Sequence, residues 1–392
     1  MPATDQMRGV LDQLAGFGMP PLGSLSPENA RQLPTPHDAV VEYIARHTGD
    51  YATGIVLPEP EPVGRIAHRV IPGPGGDLLL RIYTPAVDTT SRDGDALLPV
   101  VVYYHGGGWV IGNLDAYDAS CRALCNAAGC VVCSLAYRQA PEHKYPAAAE
   151  DAYAAYQWVL ANAASLSCDA RQVAVAGESA GGNLATVVCL MARDKGTPLP
   201  VYQLLIYPVC DASFDTPSYQ EHAHAQPLDK EAMIWFFTQY LPSPKRGQEA
   251  YASPLRERNL AGLPATSIIA AEIDPLRSEG EAYARRLREA GVPVIYTLFP
   301  GVTHEFFGMA AVLPEAKQAI GDAADGLRMG FSGQAQVRMQ QAQVALHADA
   351  AVASPEATPP TPPANTPPIS MPRATPGTAN TVQTDLPHSP SA

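Results

Sequence analysis

The sequence predicts an α/β fold: a mostly parallel, eight-stranded sheet with helices on both faces and a helical cap. Three observations carry that prediction. Short apolar runs alternate with helical stretches from about residue 100 to residue 330, as crossovers between parallel strands require. With 392 residues, 46% of them hydrophobic, the chain can bury a large core. One apolar run, 173–176, passes directly into an apolar helix through Gly177-Glu178-Ser179-Ala180-Gly181, where glycines flank a serine at a tight strand-to-helix turn.

Residues 1–60 read as short amphipathic helices punctuated by Pro20, Pro21, Pro27, Pro34 and Pro36. Alone they bury little, so they are expected to pack over something else as a lid. The main α/β domain is expected over 61–332. It opens with strands at 66–71 and 78–83, paired as a hairpin by the turn cluster Pro72-Gly73-Pro74-Gly75-Gly76-Asp77. Strands then follow at 100–104, 130–136, 173–176, 202–207, 266–271 and 294–299, with helices at 116–128, 146–161, 181–193, 279–290 and 314–329. Residues 211–250 interrupt the alternation with a cluster of aromatic residues and read as a helical cap insertion that shapes a pocket at the carboxyl edge of the sheet. From 333 to 392 no Phe, Trp or Tyr occurs, and 353–392 holds 11 of the 39 prolines. Such a composition cannot offset its ordering entropy, so a disordered Pro/Ala/Thr-rich tail is expected.

The net charge of -13 argues against a nucleic-acid partner. No run of 18 apolar residues and no leader-like amino terminus is found, which predicts a cytoplasmic protein without stable membrane insertion. The seven cysteines sit mostly in apolar patterns and read as buried thiols. Cys130-x-x-Cys133 lacks the second pair that a zinc site needs, and His222 and His224 lack accompanying ligands, so no metal is expected.

The chemistry concentrates at strand ends. Gly-x-Ser-x-Gly arises too often by chance to define a nucleophile, but His105-Gly106-Gly107-Gly108-Trp109 directly follows the strand at 100–104. Consecutive glycines there expose amide N–H groups to a ligand, suited to an oxyanion; a phosphate loop would call for a nearby lysine, and none is present. A serine nucleophile needs a base and a carboxylate that orients the base. Asp274 follows the strand at 266–271, and His304 follows that at 294–299. Taken singly, Asp274 is as readily a helix cap before Pro275, and His304 a surface-loop histidine. Together, in the order Ser, Asp, His and each at a strand's carboxyl end, they point to catalysis. Glu178 is left a supporting role at most.

These motifs resemble the hormone-sensitive-lipase-like carboxylesterases, bacterial family IV of the α/β-hydrolase fold. The resemblance spans roughly residues 20–330 and includes Asp274-Pro275-Leu276-Arg277, Tyr137-Arg138-Gln139-Ala140-Pro141-Glu142-His143, and an amino-terminal cap at Leu25-Ser26-Pro27-Glu28-Asn29-Ala30-Arg31. It implies Ser179 as nucleophile, His304 as general base and acid, and Asp274 as its orienter. It also implies an oxyanion hole from the amides of Gly107, Gly108 and Ala180 with Gly106 shaping the loop, a small ester substrate of short to medium acyl chain, no cofactor, and a homodimer through the last strand. Two positions depart from the family: Ser278 stands where it carries an acidic residue, and Glu305 where it usually has glycine. Trp109, Phe214, Trp235, Phe236 and Phe306 are expected to line an apolar substrate pocket. Two rivals stand beside this reading: a ligand-binding receptor on the same fold, which expects a broken triad, and an amidase or deacetylase, which keeps it.

Overall fold

A computed structural model describes residues 2–47, 60–86 and 97–334. The expected tail from 335 onward and residues 48–59 of the amino-terminal segment lie outside these. Eight strands form one sheet in the order β1-β2-β4-β3-β5-β6-β7-β8. They are β1 (Arg65–Gly73), β2 (Gly76–Thr84), β3 (Leu98–Tyr104), β4 (Val131–Ala136), β5 (Cys168–Glu178), β6 (Gln203–Ile206), β7 (Thr266–Ile273) and β8 (Val294–Thr303). The β1–β2 hairpin and the β2–β4 pair are antiparallel, and all other pairs are parallel.

Strand periodicity divides the apolar residues into two cores. Val100, Val102 and Tyr104 of β3 point to one face, Val101 and Tyr103 to the other. The first face is covered by α5 (Ala147–Asn162), α6 (Ala180–Lys195) and α9 (Arg277–Glu289); the second by α4 (Asp118–Ala128) and α10 (Pro314–Phe331). Burial on both faces explains why the central strands read as unbroken apolar runs.

Two strands run past their apolar runs. β5 begins at Cys168, because Leu98 pairs with Cys168 before a register shift brings Val100 opposite Val173. That irregularity absorbs the polar residues Asp169–Gln172, which no apolar periodicity could reveal. β8 continues to Thr303 past Gly301, whose φ of 67° bends the strand beside Thr4.

The amino-terminal segment is more than a cover. Helix α1 (Asp5–Gly16) is capped by the Thr4 hydroxyl accepting from Met7 N, and it buries Met7, Val10 and Leu14 in the second core. Helix α2 (Pro27–Ala30) ends at Arg31, and α3 (Pro36–His47) packs on α1. Between β6 and β7 lie α7 (Pro217–Glu221) and α8 (Lys230–Tyr240), the helical part of 211–250. Among the described residues no helix is long and apolar enough to cross a membrane, and all seven cysteines are buried and unpaired.

Backbone packs closely against backbone where α6 starts. A Cβ on Gly181 would stand 1.9 Å from the Tyr104 carbonyl oxygen, whereas one on Gly321, exposed on α10, would meet nothing within 4 Å. The same Gly→Ala change should therefore have opposite signs at these two helical positions. Gly181→Ala is expected to destabilise by about 3 kcal/mol or more through overpacking, and Gly321→Ala to stabilise by roughly 0.5–1 kcal/mol through helix propensity. Urea denaturation of both variants checks this, and equal effects would refute it.

Candidate active site

Ser179 is the single residue between β5 and α6, held at φ 56°, ψ -117°. Two glycines allow that turn: a Cβ on Gly177 would lie 2.2 Å from the Gly181 carbonyl oxygen, and Gly181 itself abuts Tyr104. The Ser179 amide donates to Ile206 O at 2.9 Å, and its carbonyl accepts from Asn183 N and Val209 N, each at 3.1 Å. The backbone is thus fixed on both sides and the hydroxyl is left to side chains.

His304 follows β8 and is 3% exposed. Its Nε2 lies 2.9 Å from Ser179 Oγ and its Nδ1 2.7 Å from Asp274 Oδ2. Asp274 uses its other oxygen to accept from Leu276 N at 2.8 Å. It therefore holds a turn and the imidazole at once, and it caps no helix: the N-cap of α9 is Leu276, without a side-chain cap. Helix α9 starts only at Arg277, so Pro275 lies in that turn rather than at the first helical position. Burial alone would lower the His304 pKa, but the charge and hydrogen bond of Asp274, with Glu305 and Glu178 behind, raise it above the ordinary histidine value.

The loop after β3 approaches from the other side. Gly107 and Gly108 have φ of 96° and 58°, and a Cβ on either would lie within about 2 Å of Ile111 O or the Phe236 ring. Among the described residues no protein group accepts from the amides of Gly107, Gly108 or Ala180. The Gly106 carbonyl accepts from His105 Nδ1 at 2.8 Å, and His105 stacks on Tyr137 with ring centroids 4.3 Å apart. Burial pushes the His105 pKa down to about 4, leaving a neutral prop for the loop. From α2's end, Arg31 donates to Val110 O at 2.9 Å and Ala140 O at 2.8 Å while pairing with both oxygens of Glu142. This fork fastens the amino-terminal segment to the loop.

Two further carboxyl groups border the site. Glu178 is buried and accepts from the hydroxyls of Tyr103 and Tyr207. Burial, then the charge of Glu305, push its pKa up to about 7. Glu305 accepts from Tyr117 at 2.8 Å, and burial raises its pKa too. Glu279, by contrast, is structural: its carboxyl accepts from Cys210 N at 2.7 Å. Ser278 ties α7 to α9, exchanging hydrogen bonds with Ser218 at 3.0 and 3.1 Å. His222 sits against Arg277 and Glu221.

A cavity of about 720 Å³ opens beside Ser179, His304, Gly107 and Gly108. Its walls come from α1, residues 18–37, the loop after β3, residues 226–236 and residues 304–309. Of the five aromatic residues expected there, Phe236 lines it. The other four pack elsewhere, three of them buried and Phe214 half-buried against the core: Trp109 stacks on Tyr240 at 4.1 Å, Phe214 packs on Phe237 at 5.5 Å, Phe306 packs on Phe299 at 5.4 Å, and Trp235 donates to Leu25 O at 3.2 Å. Helix geometry gives the reason on α8. Asp229, Ala232, Met233 and Phe236 share one face toward the cavity, which turns Trp235 and Phe237 away. Met19, Leu33, Ile111, Leu228 and Met309 complete the apolar wall and were not anticipated; the period of α8 could have revealed Met233, but the loop residues carry no such signal.

Residues 101–308 match the model of the family described as alpha/beta hydrolase fold. The chain is similar to the carboxylesterase NlhH of Mycobacterium tuberculosis, 42% identical over 275 residues that cover 69% of this chain and 84% of that one. It is 38% identical to the ethyl acetate hydrolase of Pseudomonas putida over 63% of this chain and 76% of the relative. Among solved structures, the hyperthermophilic esterase from the archaeon Pyrobaculum calidifontis superposes with a TM-score of 0.72 at 38% identity, covering 84% of this chain and 100% of that one. By fold, strand order and these relatives, the chain belongs to the α/β-hydrolase family, in its hormone-sensitive-lipase-like branch of carboxylic ester hydrolases.

Proposed function

We propose that this is a serine carboxylesterase acting on short- to medium-chain acyl esters through an acyl-enzyme on Ser179. The observation that carries the reading is the unbroken hydrogen-bond line from Ser179 Oγ through His304 to Asp274, at the wall of an apolar cavity and beside three uncommitted amides. In this reading His304 Nε2 takes the serine proton as Oγ attacks the ester carbonyl, and Asp274 stabilises the resulting imidazolium. The amides of Gly107, Gly108 and Ala180 receive the oxyanion. His304 then protonates the leaving alcohol, and water releases the acyl group by the reverse sequence. The residues 1–60 and 211–250 act as the cap that sets substrate size.

Ser179→Ala is expected to lower kcat on a 4-nitrophenyl ester by roughly 10⁵–10⁶-fold with an unchanged melting temperature. Retained turnover would exclude the mechanism and favour a receptor-like role.

Because His304 works only as the neutral base and its pKa is raised, kcat/KM should fall as pH drops, with the acid limb centred above about 6.5. A pH–rate profile whose acid limb lies below that value would contradict the electrostatics described.

A cavity of this size, with Phe236 and Met233 across it, suits butanoyl to octanoyl chains. In a 4-nitrophenyl ester series, hexadecanoyl is expected to be slower by about tenfold or more; equal or faster turnover of the long chain would count against the chain-length part alone.

A further inference from the structure

The reaction proposed above brings two different oxygens to His304 Nε2 in succession, first that of the leaving alcohol and then that of water. One side chain beside this nitrogen stands outside the Ser–His–Asp line. Glu305 has a left-handed backbone, φ 69°, which favours glycine and persists where surrounding contacts hold it. That turn brings its Oε1 to 3.9 Å from His304 Nε2. Tyr117 anchors the same oxygen, donating to it at 2.8 Å. Both residues border the cavity together with Ser179, and the Glu305 side chain keeps 19% of its surface open.

We propose that Glu305 holds the hydrolytic water of deacylation. A separation of 3.9 Å is too long for a direct hydrogen bond and fits one water bonded to both groups at about 2.8 Å each. A carboxylate has acceptor sites beyond the one that Tyr117 occupies. Since Nε2 is also 2.9 Å from Ser179 Oγ, a water held there lies next to the carbonyl carbon of an acyl group on Ser179. The water oxygen bonds to that carbon, one of its protons passes to Nε2, and its second O–H stays donated to Glu305 while the carbonyl electron pair moves onto oxygen. When the carbonyl re-forms, the bond from carbon to Ser179 Oγ breaks and Nε2 returns its proton to Oγ. The product leaves as the carboxylic acid, and Glu305 ends the cycle with no net proton. Acylation needs no water at this place, so Glu305 acts in one half of the cycle only.

The inference rests on the serine-esterase reading, and its test separates the two. Glu305→Gly suits the left-handed backbone, and Glu305→Gln keeps the size while removing the charge. With 4-nitrophenyl acetate, at a pH on the plateau above the acid limb where loss of the Glu305 charge no longer changes the fraction of neutral His304, Glu305→Gly should lower kcat by about tenfold to a hundredfold and leave kcat/KM, which reports acylation, within about twofold. Rapid mixing should show a nitrophenolate burst approaching one equivalent before the slow phase, with Glu305→Gln intermediate. A side chain that merely props Tyr117 or His304 would depress kcat and kcat/KM together. Parallel losses in both variants, or an unchanged kcat in Glu305→Gly, overturn the water role. Wild-type turnover that survives Ser179→Ala overturns the reading beneath it instead.

Discussion

The contact on which the site depends is backbone against backbone. The first turn of α6 lies on the ends of β3 and β5 so closely that Gly177 and Gly181 leave no room for any Cβ. This approach sets Ser179 in its left-handed conformation, directs the first amide of α6 outward, and fixes the origin of the loop that begins at His105. The first amides of a helix have no intrahelical acceptor, so the Ala180 N–H is available because of where the helix starts. The Ser179 hydroxyl and the free Ala180 amide beside it thus come from one packing constraint.

Around this point four carboxyl groups are sorted by environment. Asp274 accepts from His304 Nδ1 and from the Leu276 amide, one oxygen for each. Glu279 is buried with one oxygen on backbone amides and the other without a partner, so its pKa is driven far up. Glu178 and Glu305 lie between, each made a weaker acid by burial, with the charge of Glu305 adding to the effect on Glu178 and that of Asp274 to the effect on Glu305. Their hydroxyl partners, Tyr103, Tyr207 and Tyr117, are themselves raised by burial and stay protonated donors. The imidazole therefore works inside a negatively biased pocket, which strengthens it as a base.

What sequence could and could not disclose follows from the range of each signal. Strands buried on both faces, such as β3, announce themselves in consecutive apolar residues, and positions directly after them can be read from order alone. That is why Ser179, Asp274 and His304 could be named before they were seen to share hydrogen bonds. The Cys168–Gln172 part of β5 was invisible because Asp169–Gln172 fall in a register shift and carry no apolar alternation. The cavity wall was harder still. Trp109 and Phe306 looked like pocket residues because they are large and near the motifs, yet large aromatic residues bury most area in the core, where both lie. Much of the apolar wall is Leu, Ile and Met from α1, α8 and separate loops, which converge only in three dimensions.

The same division has a mechanical side. The groups that meet at Ser179 stand at strand ends, while much of the cavity wall belongs to the amino-terminal helices and α8. Arg31 joins the two: its guanidinium grips Val110 O, just past the glycine loop, and Ala140 O, while Glu142 neutralises its charge. The fork is bidentate and only part-exposed, so it transmits position better than a flexible lysine could. A displacement of the amino-terminal segment must therefore either break this fork or carry the loop of Gly107 and Gly108 with it. Substrate fit against the wall and the placement of the loop amides are in this way one mechanical variable.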